Sequence, residues 1–82
     1  MGEESPKGRS LKLPDLSPQR VIRVLGRFGW AVRREGKRHT LLEHTEKRNL
    51  VTIPRHRRLK RGTLKAILRE AEISIPEFLG NI

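Results

Sequence analysis

The chain has 82 residues, with 19 Lys and Arg against 9 Asp and Glu, a formal net charge of +10, and no cysteine. That length allows one small domain with a thin core and leaves function to a surface or a shallow groove. The missing cysteine excludes disulfides, zinc–thiolate sites and thiol nucleophiles, and the charge favours a polyanionic partner, nucleic acid first of all.

Residues 1–13 read as a flexible tail, since Gly, Ser, Pro and charges dominate and no apolar period is visible. Residues 14–82 read as the domain. The first helix starts at Ser17, a capping residue, with Pro18 at the first helical position, where a missing N–H costs nothing. Val21, Ile22, Leu25 and Phe28 follow at helical spacing, and Gly29 closes the run. Arg20, Arg23 and Arg27 lie off that stripe, on a solvated face.

Trp30 to Arg34 predict a strand, with Trp30 and Val32 on one side and Ala31 and Arg33 on the other. Glu35 to Arg38 form a turn around Gly36. His39 to His44 predict a second strand that pairs back as a hairpin. Leu41 and Leu42 are adjacent, so alternation does not say which face of it is buried. Thr45 to Asn49 form a polar turn. Leu50 to Ile53 predict the third strand, stopped by Pro54, which cannot donate to a ladder.

Arg55 to Arg61 read as a loop in which five of seven residues are Lys or Arg. Gly62 and Thr63 start a second helix, with Leu64, Ile67, Leu68 and Ala71 as its apolar stripe. Ser74 and Glu77 stand at capping-box spacing with Pro76 between them, so a short helix through Phe78 and Leu79 follows. The fold class is therefore α+β in two layers: a helix, a three-stranded antiparallel meander, a second helix and a short C-terminal helix. One sheet face packs under the helices and the other stays open.

Three histidines carry the candidate chemistry. His39 follows the Gly36 turn, His56 follows the proline stop, and His44 closes strand two. Their spacing fits no familiar helical zinc motif, and no metal or other cofactor is expected. Histidine can take or give a proton near neutral pH, which RNA cleavage through the 2′-hydroxyl requires. Read alone, His39 fits a strand-edge polar residue as well as a proton carrier. His56 fits a second proton carrier, a phosphate contact or a backbone hydrogen bond. His44, beside a turn, reads as structural. Lys37, Arg38, Arg55, Arg57, Arg58, Lys60 and Arg61, with His56 among them, form two basic stretches suited to RNA phosphates. Trp30 is the single tryptophan and there is no tyrosine, so base stacking is poorly supplied and Trp30 reads as core. In a meander, the start of strand two and the end of strand three share one end of the sheet. His39 and the basic loop are therefore expected to be neighbours.

Four strings in this order resemble the HicA family of toxin–antitoxin systems, small mRNA-cleaving toxins with a fold similar to a double-stranded-RNA-binding domain. In that family a glycine opens the hairpin turn and a histidine follows two or three residues later, as Gly36 and His39 do here. The third strand ends in Ile/Val-Pro-x-His, as in Ile53-Pro54-Arg55-His56. The second helix opens with Gly-Thr and carries an Ile-Leu pair, matched by Gly62, Thr63, Ile67 and Leu68. A closing aliphatic-Ser/Thr and Glu-x-Phe element matches Ile73, Ser74, Glu77 and Phe78. The resemblance runs from about Ser17 to Leu79. It departs at Lys37, where a serine or glycine often follows the turn glycine, and in the more basic loop after His56. It implies a metal-independent endoribonuclease acting on mRNA, His39 as its catalytic residue, and an acidic HicB-type antitoxin as its inhibitor. Two other readings fit the residues: a non-catalytic RNA-binding module of the same fold, and a basic protein-interaction domain. The chain has neither a long apolar run nor an apolar signal region at its start, so no membrane contact and cytoplasmic residence are expected.

Overall fold

The computed structural model describes residues 13–55 and 57–82. Helix α1 spans Pro18–Gly26 and opens on the cap expected: the Ser17 hydroxyl accepts from the Arg20 N–H at 3.2 Å. Val21, Val24 and Leu25 form its buried stripe, while Ile22 and Phe28 are only partly covered. The helix ends two residues before Phe28, and Phe28 and Gly29 leave it through tight turns onto the Leu25 and Gly26 carbonyls.

Strands β1 (Trp30–Glu35), β2 (His39–His44) and β3 (Lys47–Pro54) form one antiparallel sheet in the order β1-β2-β3. β3 starts three residues earlier than expected, so the turn before it shrinks to Thr45 and Glu46. Its early start is held from outside the sheet. Lys47 pairs with Glu72 at 2.7 Å, and the Asn49 amide donates to the Glu70 carbonyl at 2.8 Å. The Lys47 ammonium holds the Glu72 carboxyl below the usual carboxylate range, chiefly through that hydrogen bond and then through its charge.

Alternation along β2 settles which side is inside. Thr40 and Leu42 are buried, while His39 and Glu43 are exposed and Leu41 is half-covered. Val51 and Ile53 sit opposite Leu42 and Thr40 and are fully buried with them. Val32 does not follow Trp30 into the core. It pairs with Leu42 yet is 43% exposed, because β1 is an edge strand and nothing covers it past Trp30.

Helix α2 spans Arg61–Ala71, one residue earlier than the Gly62–Thr63 start expected, and buries Leu64, Ile67, Leu68 and Ala71. Helix α3 spans Ile75–Leu79 and opens on a complete capping box between Ser74 and Glu77. The Ser74 backbone N–H holds the Glu77 carboxyl below its ordinary range. The layers are helices on one sheet face and solvent on the other, the layout of a double-stranded-RNA-binding-domain-like α+β fold. Leu13, placed in the tail by composition alone, is 6% exposed and belongs to the core cluster, so the domain begins there at the latest. Residues 1–12 lie outside the described part. Among the described residues, no helix is long and apolar enough to cross a membrane.

The α1–β1 joint depends on Gly29. Its φ is +96°, a region that side-chain-bearing residues rarely adopt, and a Cβ there would lie 2.5 Å from His44 Nε2. The His44 ring fills that space. Its Nδ1 accepts from the Glu46 N–H at 3.0 Å, so Nε2 carries the proton and donates to the Phe28 carbonyl at 2.9 Å. Trp30 meets the same ring edge-on, with centroids 5.2 Å apart. Gly29→Ala must therefore strain the backbone and push the histidine from its seat, at a cost of about 1–3 kcal/mol for the strain alone. A melting temperature at least about 4 °C lower is the expected result. An unchanged melting curve would show that the joint relaxes freely.

Candidate functional site

The open sheet face holds the site. His39 opens β2 opposite Pro54, the last residue of β3. The turn before it is closed by the Gly36 N–H donating to the His39 carbonyl at 2.8 Å. Gly36 suits this close turn: a Cβ there would sit 3.2 Å from that same carbonyl oxygen, a tight contact. Arg34, Gly36, Lys37, Arg38, His39 and Leu41 line an open groove of about 350 Å³. Lys37, Arg38 and His39 are all exposed in it. This places an imidazole among cations on a surface that solvent and a large substrate can reach.

The basic loop lies beside this groove, as the meander geometry requires. The Arg55 N–H donates to the Arg38 carbonyl at 2.9 Å, and the Arg55 guanidinium donates to the Gly36 carbonyl. Arg55 therefore locks the hairpin turn onto the end of β3. Arg58 is tied in a similar way, with Nη1 donating to the Asp15 carbonyl at 3.0 Å. Leu59 is 4% exposed and exchanges two backbone hydrogen bonds with Leu16, of 2.6 and 3.2 Å. The stretch read as a basic loop is thus a strap pinned at Arg55, Arg58 and Leu59.

A second, smaller groove of about 200 Å³ runs along the strap, lined by Pro54, Arg57, Arg58, Leu59, Lys60 and Thr63. Pro54 lines it and pairs with His39, so the two grooves meet at that strand pair. Arg57, Lys60 and Arg61 are exposed around this second groove and the start of α2. His56 lies outside the described residues.

Sequence reasoning missed three things here. Arg34 lies in the His39 groove although simple alternation puts it with Trp30 and Val32. Leu59 anchors the strap, and its signal was available as the one leucine inside a run of charges. The structural use of the Arg55 and Arg58 guanidinia had no signal in composition. His44 is kept away from the site. It is five residues from His39, roughly 17 Å along an extended strand, and points to the other face. The two cannot act as an acid–base pair.

The fold and this face together define a small α+β domain that presents His39, exposed, within a cationic groove. The chain matches the family model described as HicA toxin of bacterial toxin-antitoxin over residues 18–73. It belongs to that family, which makes it the toxin member of a toxin–antitoxin pair. A comparison with curated proteins gives no match.

Proposed function

We propose that this chain is a metal-independent endoribonuclease that cleaves mRNA, with His39 as the proton-transfer residue. The carrying observation is the exposed His39 in a groove whose rim is Lys37 and Arg38, on a sheet face the helices leave open. In the reaction His39 takes the proton of an RNA 2′-hydroxyl. The 2′-oxygen forms a bond to the adjacent phosphorus while the bond from phosphorus to the 5′-oxygen breaks, and the leaving 5′-oxygen takes a proton from water, giving a cyclic phosphate and a 5′-hydroxyl. The groove cations stabilise the charge that gathers on the phosphoryl oxygens.

The charge layout supports an RNA path rather than a single contact. Helix α2 opens with Lys60 as N-cap, which makes no side-chain cap bond, then Arg61, with no acid in its first turn. Cations at a helix N-terminus oppose the macrodipole, and an anion laid there relieves the conflict. From His39 to Arg57 and Lys60 the two grooves offer a phosphate track of one sign. Arg55 and Arg58 build that track, and Lys37, Arg38, Arg57, Lys60 and Arg61 face the strand. An acidic HicB-type antitoxin that covers the two grooves together blocks the imidazole and competes for the same cations.

The test is cleavage of a single-stranded RNA by the purified chain in excess chelator, with binding followed against salt. Cleavage is expected to persist with chelator present. Affinity is expected to fall steeply with salt: each neutralised phosphate adds about 0.7 to the log–log slope, so about three of them cost roughly 20-fold over a fourfold rise in salt. Salt-sensitive binding with no cleavage would instead support the non-catalytic RNA-binding reading. A flat salt response with tight binding to an acidic protein would support the protein-interaction reading.

A further inference from the structure

We propose that Arg34 is a substrate-binding residue of the His39 site, brought to that face by a β-bulge. This rests on the RNA-directed reading above and adds a residue to it.

The argument starts from strand register. Trp30, Ala31 and Val32 pair with His44, Glu43 and Leu42. Continued without interruption, that register sets Arg34 opposite Thr40. Thr40 is 1% exposed and faces the helices, so Arg34 would share the helix side of the sheet. The register instead shifts between Val32 and Arg34, and Arg34 stands opposite Leu41. One extra residue, Arg33, is taken up in the shift. A one-residue change of register moves a side chain to the other face. Leu41 alternates outward with His39, so Arg34 joins the open face.

The same shift sets its reach. His39 is the diagonal neighbour of Arg34, two residues along β2 from its direct partner. Diagonal neighbours are separated by roughly 7–8 Å, a span a long side chain crosses. Arg34 and His39 line one groove, with Lys37 and Arg38 on the same rim. Bulges recur beside active sites, where they re-aim a side chain. A guanidinium also presents a planar fork that fits two oxygens of one phosphate, which neither lysine nor a distant charge supplies. Arg34 therefore grips the phosphate next to the ribose whose 2′-hydroxyl faces His39.

Arg33 is the control, because it carries the same charge one residue away. Arg34→Gln, Arg34→Lys and Arg33→Gln are compared for cleavage of a single-stranded RNA. They are also compared for binding of the matching 2′-O-methyl RNA, which offers no 2′-hydroxyl. Arg34→Gln is expected to slow cleavage about 100-fold or more and to weaken 2′-O-methyl RNA binding about tenfold. Arg34→Lys keeps the charge and recovers only part of either loss. Arg33→Gln changes each about twofold, as expected of a screened surface charge. Equal effects at Arg33 and Arg34, or full recovery with Arg34→Lys, would overturn the proposal. If the unsubstituted chain binds RNA but does not cleave it, the ribonuclease reading fails and the binding comparison alone decides the role of Arg34.

Discussion

His39→Ala is expected to lower RNA cleavage by about 10²–10⁴-fold, the range over which a positioned acid–base group acts, and to leave the fold intact. The two halves of this result have separate causes. The loss follows from removing the imidazole that faces the groove. The intact fold follows from where that imidazole stands. His39 is exposed, and what the structure uses at this position is its backbone: the carbonyl that closes the Gly36 turn and the pairing with Pro54. Alanine supplies both. RNA binding is expected to change little, because the cations on the rim and strap remain. Circular dichroism, binding and cleavage measured on one preparation check all three. A folded His39→Ala protein that cleaves at the original rate would falsify the assignment of His39.

How much of this site can be read in the sequence depends on whether a feature is local. Turn chemistry is local. Gly36 before His39, Pro54 after Ile53, and Ser17 before Pro18 each mark a boundary with a residue type that the backbone needs there. The structure places the Gly36 and Ser17 boundaries where the residues put them, and the third strand runs one residue past Ile53 to end on Pro54 itself. Strand pairing then follows from short connections, and it brings His39 to Arg55 without further information. The bulge is different. It inserts one residue between Val32 and Arg34 without glycine, proline or any change in composition, and it reverses the face of everything after it. Alternation counted from Trp30 therefore misplaces Arg34. The strap was legible only in part: Leu59 among charges marks an anchor, but its partner Leu16 stands in another part of the chain. The guanidinium–carbonyl bonds of Arg55 and Arg58 depend on that three-dimensional closure. In sequence alone they look the same as Arg57.

Phe78→Ala is the substitution expected to cost the most stability, about 3–5 kcal/mol. Helix α3 has five residues, too few to form by itself, since nucleating a helix fixes several residues before it gains one bond. Two things hold it: the Ser74–Glu77 capping box at its start and the Phe78 ring, which is fully buried in the core cluster. The cap acts on a few exposed groups. It weakens as pH falls through the lowered Glu77 value, because a protonated carboxyl accepts the Ser74 N–H poorly. The ring is the larger contribution, and truncating it leaves a cavity among residues already close-packed. A chain of this size has a total stability of only about 4–12 kcal/mol, so the loss is a large share of the whole. The melting temperature is expected to drop by at least about 12 °C. Cleavage measured well below that temperature is expected to stay near normal, because α3 packs on the helix side and the His39 groove opens on the other. A Phe78→Ala protein that melts normally would show that α3 is not part of the cooperative core. One that stays folded yet loses cleavage would show that the two faces of the sheet are coupled.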